Sequence, residues 1–217
     1  MKAIDYAKFF ISQKIGAEKN SLEGNMKLQK LLFFADMINL AQYDSPLFDD
    51  DVYAFEKGCV IESVRQKFQY DYDNLLFESM YTQPCFNDSD KDTLNITLDI
   101  FGALSSKELS ELSHQFEFWK NQYDKAYVSD YYKEKEASII TIDMMREEIN
   151  IIQNILSAYK ETRKICQNVI KINGVSFYYE DDIVDTSDLR RALNEFSINA
   201  EDDAYSIYFE DGELVIY

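Results

Sequence analysis

Between Met26 and Tyr43 runs MKLQKLLFFADMINLAQY, free of proline and glycine, with Leu28, Leu31, Leu32, Ala35, Ile38 and Leu40 at helical spacing. An apolar face this broad must be covered, so the segment, started by Gly24 or Asn25, predicts a helix central to the core. Asp44-Ser45-Pro46 ends it, because proline cannot continue the hydrogen-bond ladder and the residue before it avoids helical torsions. From Pro46 to Val60 the chain reads as extended, with Phe48, Val52, Phe55 and Val60 inward and Gly58 permitting a tight turn.

Five further segments accompany that helix in the first 165 residues. A helix is expected from Ile4 to Ile15, with Ile4, Ala7, Phe10 or Ile11, and Lys14 along one side and Gly16 at its end. Another covers Ile61 to Tyr70. The Pro84, Asn87, Asp88 and Asp90 stretch reads as a surface loop before Leu94 to Phe101. Ser105-Ser106 caps a helix carrying Leu109, Leu112 and Phe116 towards Trp119. Thr141 then opens a long helix with Ile142, Met145, Ile149, Ile152, Leu156 and Tyr159 on one stripe.

After Cys166 the pattern changes. Asn173-Gly174 and Asp211-Gly212 each sit between short apolar runs, the favoured chemistry for two-residue hairpin turns. Between them Asp185-Thr186-Ser187-Asp188 caps a helix through Leu189, Ala192, Leu193 and Phe196. The expected fold class is α+β: a mainly helical domain over residues 1–165 with short β segments, and a β-hairpin, helix, β-hairpin module over 166–217.

The formal net charge of −18 opposes phosphate binding over most of the surface, so nucleic acid is not an expected partner and a basic protein fits better. The imbalance peaks from Gly174 to Tyr217, where twelve acids face Arg190 and Arg191 alone, a net of −10, beside several aromatic residues. Tyr178, Tyr179, Asp181, Asp182, Tyr205 and Tyr208 are the candidate partner-binding residues, since aromatic anchors and complementary charge are what protein interfaces use. The alternative for the same residues is an acidic solubilising surface over a small β core. One short cationic run, Lys160, Arg163, Lys164 and Lys171, is the sole candidate for DNA contact.

No chemistry-bearing motif stands out. A phosphate loop, a nucleophile elbow and a zinc helix are all missing from the sequence. His114 is the single histidine, without cysteines at ligand spacing, and reads as a core histidine satisfied internally. Asp49-Asp50-Asp51 alternates sides in an extended segment and reads as solvated rather than as a metal site. Cys59, Cys85 and Cys166 are odd in number and widely spaced, as reduced packing residues would be. Gln29 and Lys30 lie among apolar neighbours, either fixing the loop after Pro46 by hydrogen bonds or reaching a partner. With neither an apolar run long enough for a membrane span nor a signal-peptide layout, a cytoplasmic protein is expected, without enzymatic activity, cofactor or metal.

Three blocks carry a resemblance. Met26 to Asp36 resembles the signature helix of the Panacea, or SocA-like, antitoxin domain. Pro46-Leu47-Phe48 with Tyr53 to Val60 is similar to that family's aromatic, glycine and valine segment, although Cys59 stands where the family often has proline. Leu109 to Gln115 followed by Trp119 is similar to its late helix, where a histidine precedes a tryptophan. The blocks place Leu28, Gln29, Lys30, Leu31, Leu32, Phe34, Ala35, Phe55, Gly58, Val60, His114 and Trp119 at family-motif positions, most of them structural. The resemblance implies an antitoxin that binds and neutralises a cognate toxin protein with a basic nucleotide- or RNA-handling site, such as an alarmone-synthetase-like enzyme, in a binary or higher-order complex. A proteolytic adaptor, or a DNA-binding repressor of its own operon, is the alternative.

Overall fold

The computed structural model describes residues 1–15, 21–82, 84–129, 132–179, 183–210 and 212–217, apart from the side chains of residues 129, 132, 133 and 164–167. The chain divides into two compact units, Met1–Asn154 and Ile155–Tyr217. The architecture is α+β.

The first unit is built around α2 (Leu22–Tyr43), against which pack α1 (Ala3–Ser12), α3 (Glu62–Tyr70), α5 (Asp88–Phe101), α6 (Ser106–Ser113) and the strand β2 (Gly58–Ile61). The helix begins four residues before the expected Met26, because Ser21 accepts a hydrogen bond from Gly24 N at 2.7 Å and caps it. From Leu28 to Leu40 every residue of α2 is buried, so the helix is covered all round rather than on one broad face. That coverage traps four polar side chains, and each finds a partner on the chain that follows. Asn39 Nδ2 donates to Ser45 O at 2.8 Å, Asp36 Oδ1 accepts from Leu47 N at 2.7 Å, Lys30 Nζ donates to Cys59 O at 2.8 Å, and Gln29 Oε1 accepts from Ile61 N at 2.8 Å. Read in order, these bonds run back along α2 as the chain runs forward from 45 to 61. Left unmade, each buried group would cost about 1–3 kcal/mol, so the four together fix the path of that segment.

Along that path β1 (Val52–Phe55) pairs antiparallel with β2, and β5 (Ile139–Ile140) adds to the other edge of β1 with Val52 opposite Ile140. Between α3 and α5 lies α4 (Tyr72–Tyr81), which packs on α1; α7 (Glu117–Ala126) leads into a short pair, β3 (Tyr127–Ser129) and β4 (Tyr132–Lys133). The unit closes with α8 (Ile142–Glu147) and the start of α9 (Asn150–Gln167), within which the division between the units falls.

Several boundaries differ from the sequence reading. Helix α1 stops at Ser12 and buries Ala3, Tyr6, Ala7, Phe10 and Ile11, whereas Lys14 has already turned out with φ +64°; Gly16 lies outside the described residues. Residues 88–93, read as loop, form the first turns of α5: Asn87 accepts from Asp90 N at 2.7 Å, and the aspartates that suggested a loop suit the positive end of a helix dipole. The helix expected towards Trp119 is two, broken over His114 to Phe116, and Leu112 is only half-buried. The long helix from Thr141 is also two. Glu148 leaves the ladder and its carboxylate accepts from Glu117 N at 2.9 Å and Phe118 N at 2.8 Å, capping α7. Cys59 is buried as expected of a packing residue, but Cys85 is exposed, and the Cys166 side chain is not among those described.

In the second unit a single sheet runs in the order β6 (Val169–Ile172), β7 (Val175–Tyr179), β8 (Ala204–Glu210), β9 (Glu213–Ile216), with α10 (Ser187–Ser197) crossing between β7 and β8. That crossover makes β7 and β8 parallel, and both hairpins are antiparallel. Asn173 and Gly174 take φ +51° and +89°, as a two-residue turn of this hand requires. Gly212 takes φ +86°; Asp211 lies outside the described residues. Thr186 caps α10 by accepting from Leu189 N. Phe177, Leu189, Leu193 and Ile207 then form the core between α10 and one face of the sheet.

Candidate partner-binding surfaces

The family-motif positions fall into two groups. Leu28, Leu31, Leu32, Phe34 and Ala35 are core residues of α2, at most 1% exposed, and Phe34 stacks on Phe101 at 4.3 Å between ring centroids. The remaining seven converge on the tip of the β1–β2 hairpin. Beside the Lys30 and Gln29 bonds to β2, Trp119 Nε1 donates to Phe55 O at 3.0 Å and Ser110 Oγ donates to Lys57 O at 2.9 Å. Gly58 has φ +93°, and a Cβ there would stand 2.1 Å from Ser113 Oγ and 2.8 Å from Lys30 Cε. The turn is therefore clamped from α2, α6 and α7 at once, and Val60 is buried just beyond it.

His114 stacks on Trp119 with ring centroids 3.8 Å apart, and Trp119 on Tyr123 at 5.4 Å. Burial holds the imidazole below its ordinary pKa, and the nearby Lys30 charge adds to that. Contrary to a fully satisfied core histidine, its buried Nε2 has no hydrogen-bond partner among the described residues. The ring thus packs on tryptophan beside the hairpin tip, where it also meets the Glu56 backbone. Among the described residues no group of three or more His, Cys, Asp or Glu side chains is placed to hold a metal.

Lys30 is fully buried, and among the described residues it has no carboxylate within ion-pair distance. Burial pulls its ammonium down to about 8, the neighbouring Cys59 opposing slightly, while burial pushes the Cys59 thiol up to about 12. A cavity of about 310 Å³ opens next to it, walled by Leu22, Met26, Phe55, Val60 and Arg65. Gln29 and Lys30 also line this cavity, but both side chains are buried and spent on β2 of the hairpin, which is the fixing role of the two foreseen for them.

In the second unit the structure separates the aromatic candidates. Tyr205 belongs to the side of the sheet covered by α10: its ring stands edge-on to Phe196 at 4.9 Å and its hydroxyl accepts from Glu201 N and Asp202 N, both at 2.9 Å. Tyr179 packs against the same core. Tyr178 and Tyr208 point to the opposite face and are 38% and 40% exposed. Asp181 and Asp182 lie outside the described residues. The sequence reading missed Tyr217, 72% exposed, which pairs through its backbone with Ser206 and stands edge-on to Tyr208 at 5.6 Å. Strand parity around the Asp211-Gly212 turn was the signal that placed it there. Both arginines of this region are tied locally, Arg190 to Asp185 at 2.5 Å and Arg191 to Asp188 at 3.1 Å.

Lys160 and Arg163, from the cationic run, lie on α9, where Arg163 donates to Tyr159 Oη at 3.0 Å; Lys171 is on β6, and the Lys164 side chain is not among those described. No helix among the described residues is long and apolar enough to cross a membrane.

Residues 28–120 match the family described as Antitoxin SocA-like, Panacea domain. The match runs from the buried stretch of α2 through the clamped hairpin to the residue after Trp119, a narrower span than 1–165, and leaves the second unit outside it. No curated protein and no solved structure is detectably similar to the chain.

Proposed function

We propose, from the match of residues 28–120 to the SocA-like Panacea domain family, that this protein is the antitoxin of a toxin–antitoxin pair, acting without catalysis by binding a cognate toxin protein directly. The observation that carries the binding mode is the open face of the C-terminal sheet. Tyr178, Tyr208 and Tyr217 share it, in the part of the chain where twelve acids oppose two arginines that are already paired. Exposed tyrosines supply contact area at low conformational cost, and the acidic excess accelerates encounter with a basic partner. A toxin whose cleft handles nucleotide or RNA offers that basic surface, and an alarmone-synthetase-like enzyme is the toxin class we favour. The clamped hairpin and α2 supply the scaffold.

Co-expression with the product of the neighbouring reading frame tests this. The full chain should co-purify with that product and restore growth. Tyr178→Ala with Tyr208→Ala should weaken the complex by about ten-fold or more, with an unfolding midpoint close to the parent's. Rescue that needs a cellular protease, or a salt-dependent shift of the operon's own promoter DNA without any toxin complex, would replace direct neutralisation by adaptor or repressor action.

A further inference from the structure

A second cavity in the first unit, about 360 Å³ in volume, lies where the chain leaves α2 and meets β5 and α8. Its walls are apolar, with Phe48, Val52, Ile140, Ile142 and Met145 among them. Its charged lining is entirely acidic: Asp36, Asp49, Asp50 and Asp51, with no lysine, arginine or histidine. Asp50 is engaged, accepting from Ala3 N at 2.9 Å and from Ser63 Oγ at 2.7 Å. Asp49 and Asp51 are exposed at the surface.

Asp36 is the unusual member. It is 3% exposed, Leu47 N donates to its Oδ1 at 2.7 Å, and its other oxygen has no hydrogen-bond partner among the described residues. A buried carboxylate with a free oxygen costs free energy unless a cation meets it or a proton neutralises it. Burial raises its pKa to about 7, against the Leu47 bond, so near neutral pH it is close to taking a proton. A bare metal ion does not match, since no three ligating side chains converge among the described residues. An aliphatic stem ending in a delocalised or multi-donor cation matches both the walls and the end of the cavity.

We propose that this cavity receives the side chain of an arginine or lysine presented by the bound protein partner, its methylenes against Phe48, Val52, Ile142 and Met145 and its cation on Asp36. Asp49 and Asp51 draw the cation in from the surface. The partner as source rests on the reading of the chain as the inhibitor of a basic toxin; the cavity's preference for an aliphatic cation does not.

The test uses butylguanidinium, the arginine side chain with a methyl group in place of its Cα and backbone, and 1-butanol as its neutral counterpart. Each is titrated into the full chain at about pH 8, above the value of about 7 to which burial raises Asp36, while the methyl resonances of Ile140, Ile142 and Met145 are followed. Butylguanidinium should shift them saturably at concentrations about ten-fold below those butanol needs. Asp36→Asn, which keeps an oxygen for Leu47 N, should abolish that preference. Asp49→Asn with Asp51→Asn, both on the surface, should weaken the cation by about two- to five-fold and reduce its salt dependence. Equal response to the two probes, or an undiminished preference in Asp36→Asn, overturns the site; if Asp36→Asn does not fold, an unchanged affinity in the surface double variant does so. For the occupant, Asp36→Asn should weaken the toxin complex by about ten-fold. An unchanged complex overturns the partner's side chain as the ligand. Probe binding without any toxin complex would count against the antitoxin reading and leave the cavity's selectivity standing.

Discussion

Gly58 and Gly174 close the turns of two hairpins at almost the same φ, +93° and +89°, and meet opposite surroundings. At Gly58 a Cβ would lie 2.1 Å from Ser113 Oγ and 2.8 Å from Lys30, whereas at Gly174 nothing lies within 4 Å. The first turn is Glu56-Lys57 with only the glycine at positive φ; the second has both Asn173 and Gly174 there. Their supports differ as well. The β1–β2 tip is held by backbone bonds from Lys30, Ser110 and Trp119 on three helices, all distant in sequence. Among the described residues the β6–β7 tip is held through the Asn173 side chain, whose Nδ2 donates to Asn194 Oδ1 at 3.0 Å and Ser197 Oγ at 2.9 Å on α10. One hairpin is shaped by what closes on it, and the other by its own turn residues.

Four substitutions break or sharpen this contrast. Gly58→Ala should be the most damaging, at about 3–4 kcal/mol, because left-handed strain adds to a collision with Ser113 and Lys30 that buried neighbours cannot relieve; the shift in urea midpoint measures it. Gln29→Leu should follow at about 2 kcal/mol by leaving the buried Ile61 N–H without an acceptor, read in the same way. Lys30→Met sharpens the comparison through pH. Because the folded chain releases the Lys30 proton near 8 and the unfolded chain near 10.5, the folded state holds fewer protons between those values, so the parent's stability should rise with pH across that window. The parent should gain on the order of 2 kcal/mol relative to Lys30→Met there, and parallel pH profiles for the two proteins would refute the buried ammonium. Gly174→Ala should cost least, about 1 kcal/mol, the backbone strain alone. A Gly174→Ala effect as large as that of Gly58→Ala would remove the distinction.

The second hairpin was legible in the sequence because its information is local. Asn173-Gly174 between alternating apolar residues specifies turn, register and strands together, and the same holds for Thr186 as the cap of α10. The first was legible only in outline. Gly58 signalled a turn, but nothing near it indicates that Ser110, Ser113 and Trp119, more than fifty residues later, would close on it. The misread segments have one cause as well. Asn87, Asp88 and Asp90 favour loops and helix starts equally, and the choice went to helix because Thr93, Leu94, Ile96, Thr97 and Phe101 found burial. Glu148 offered no sign of a break, since its reason for leaving the helix is the free amide end of α7.

The tyrosines show where the boundary falls. Strand alternation by itself determines that Tyr178 and Tyr179 lie on opposite faces, and that Tyr205 and Tyr208 do too. Which face is open was decided only when α10 covered the side bearing Phe177 and Ile207, leaving Tyr178 and Tyr208 exposed together with Tyr217. In α2 likewise, spacing determined a helix with an apolar surface, and composition determined a strongly acidic chain. That Asn39, Asp36, Lys30 and Gln29 would each meet one backbone group between Ser45 and Ile61 depended on how completely the helix was enclosed. Periodicity fixes the phase of side chains within one element; which phase is buried, and which buried polar group finds a partner, is fixed by the elements that pack around it.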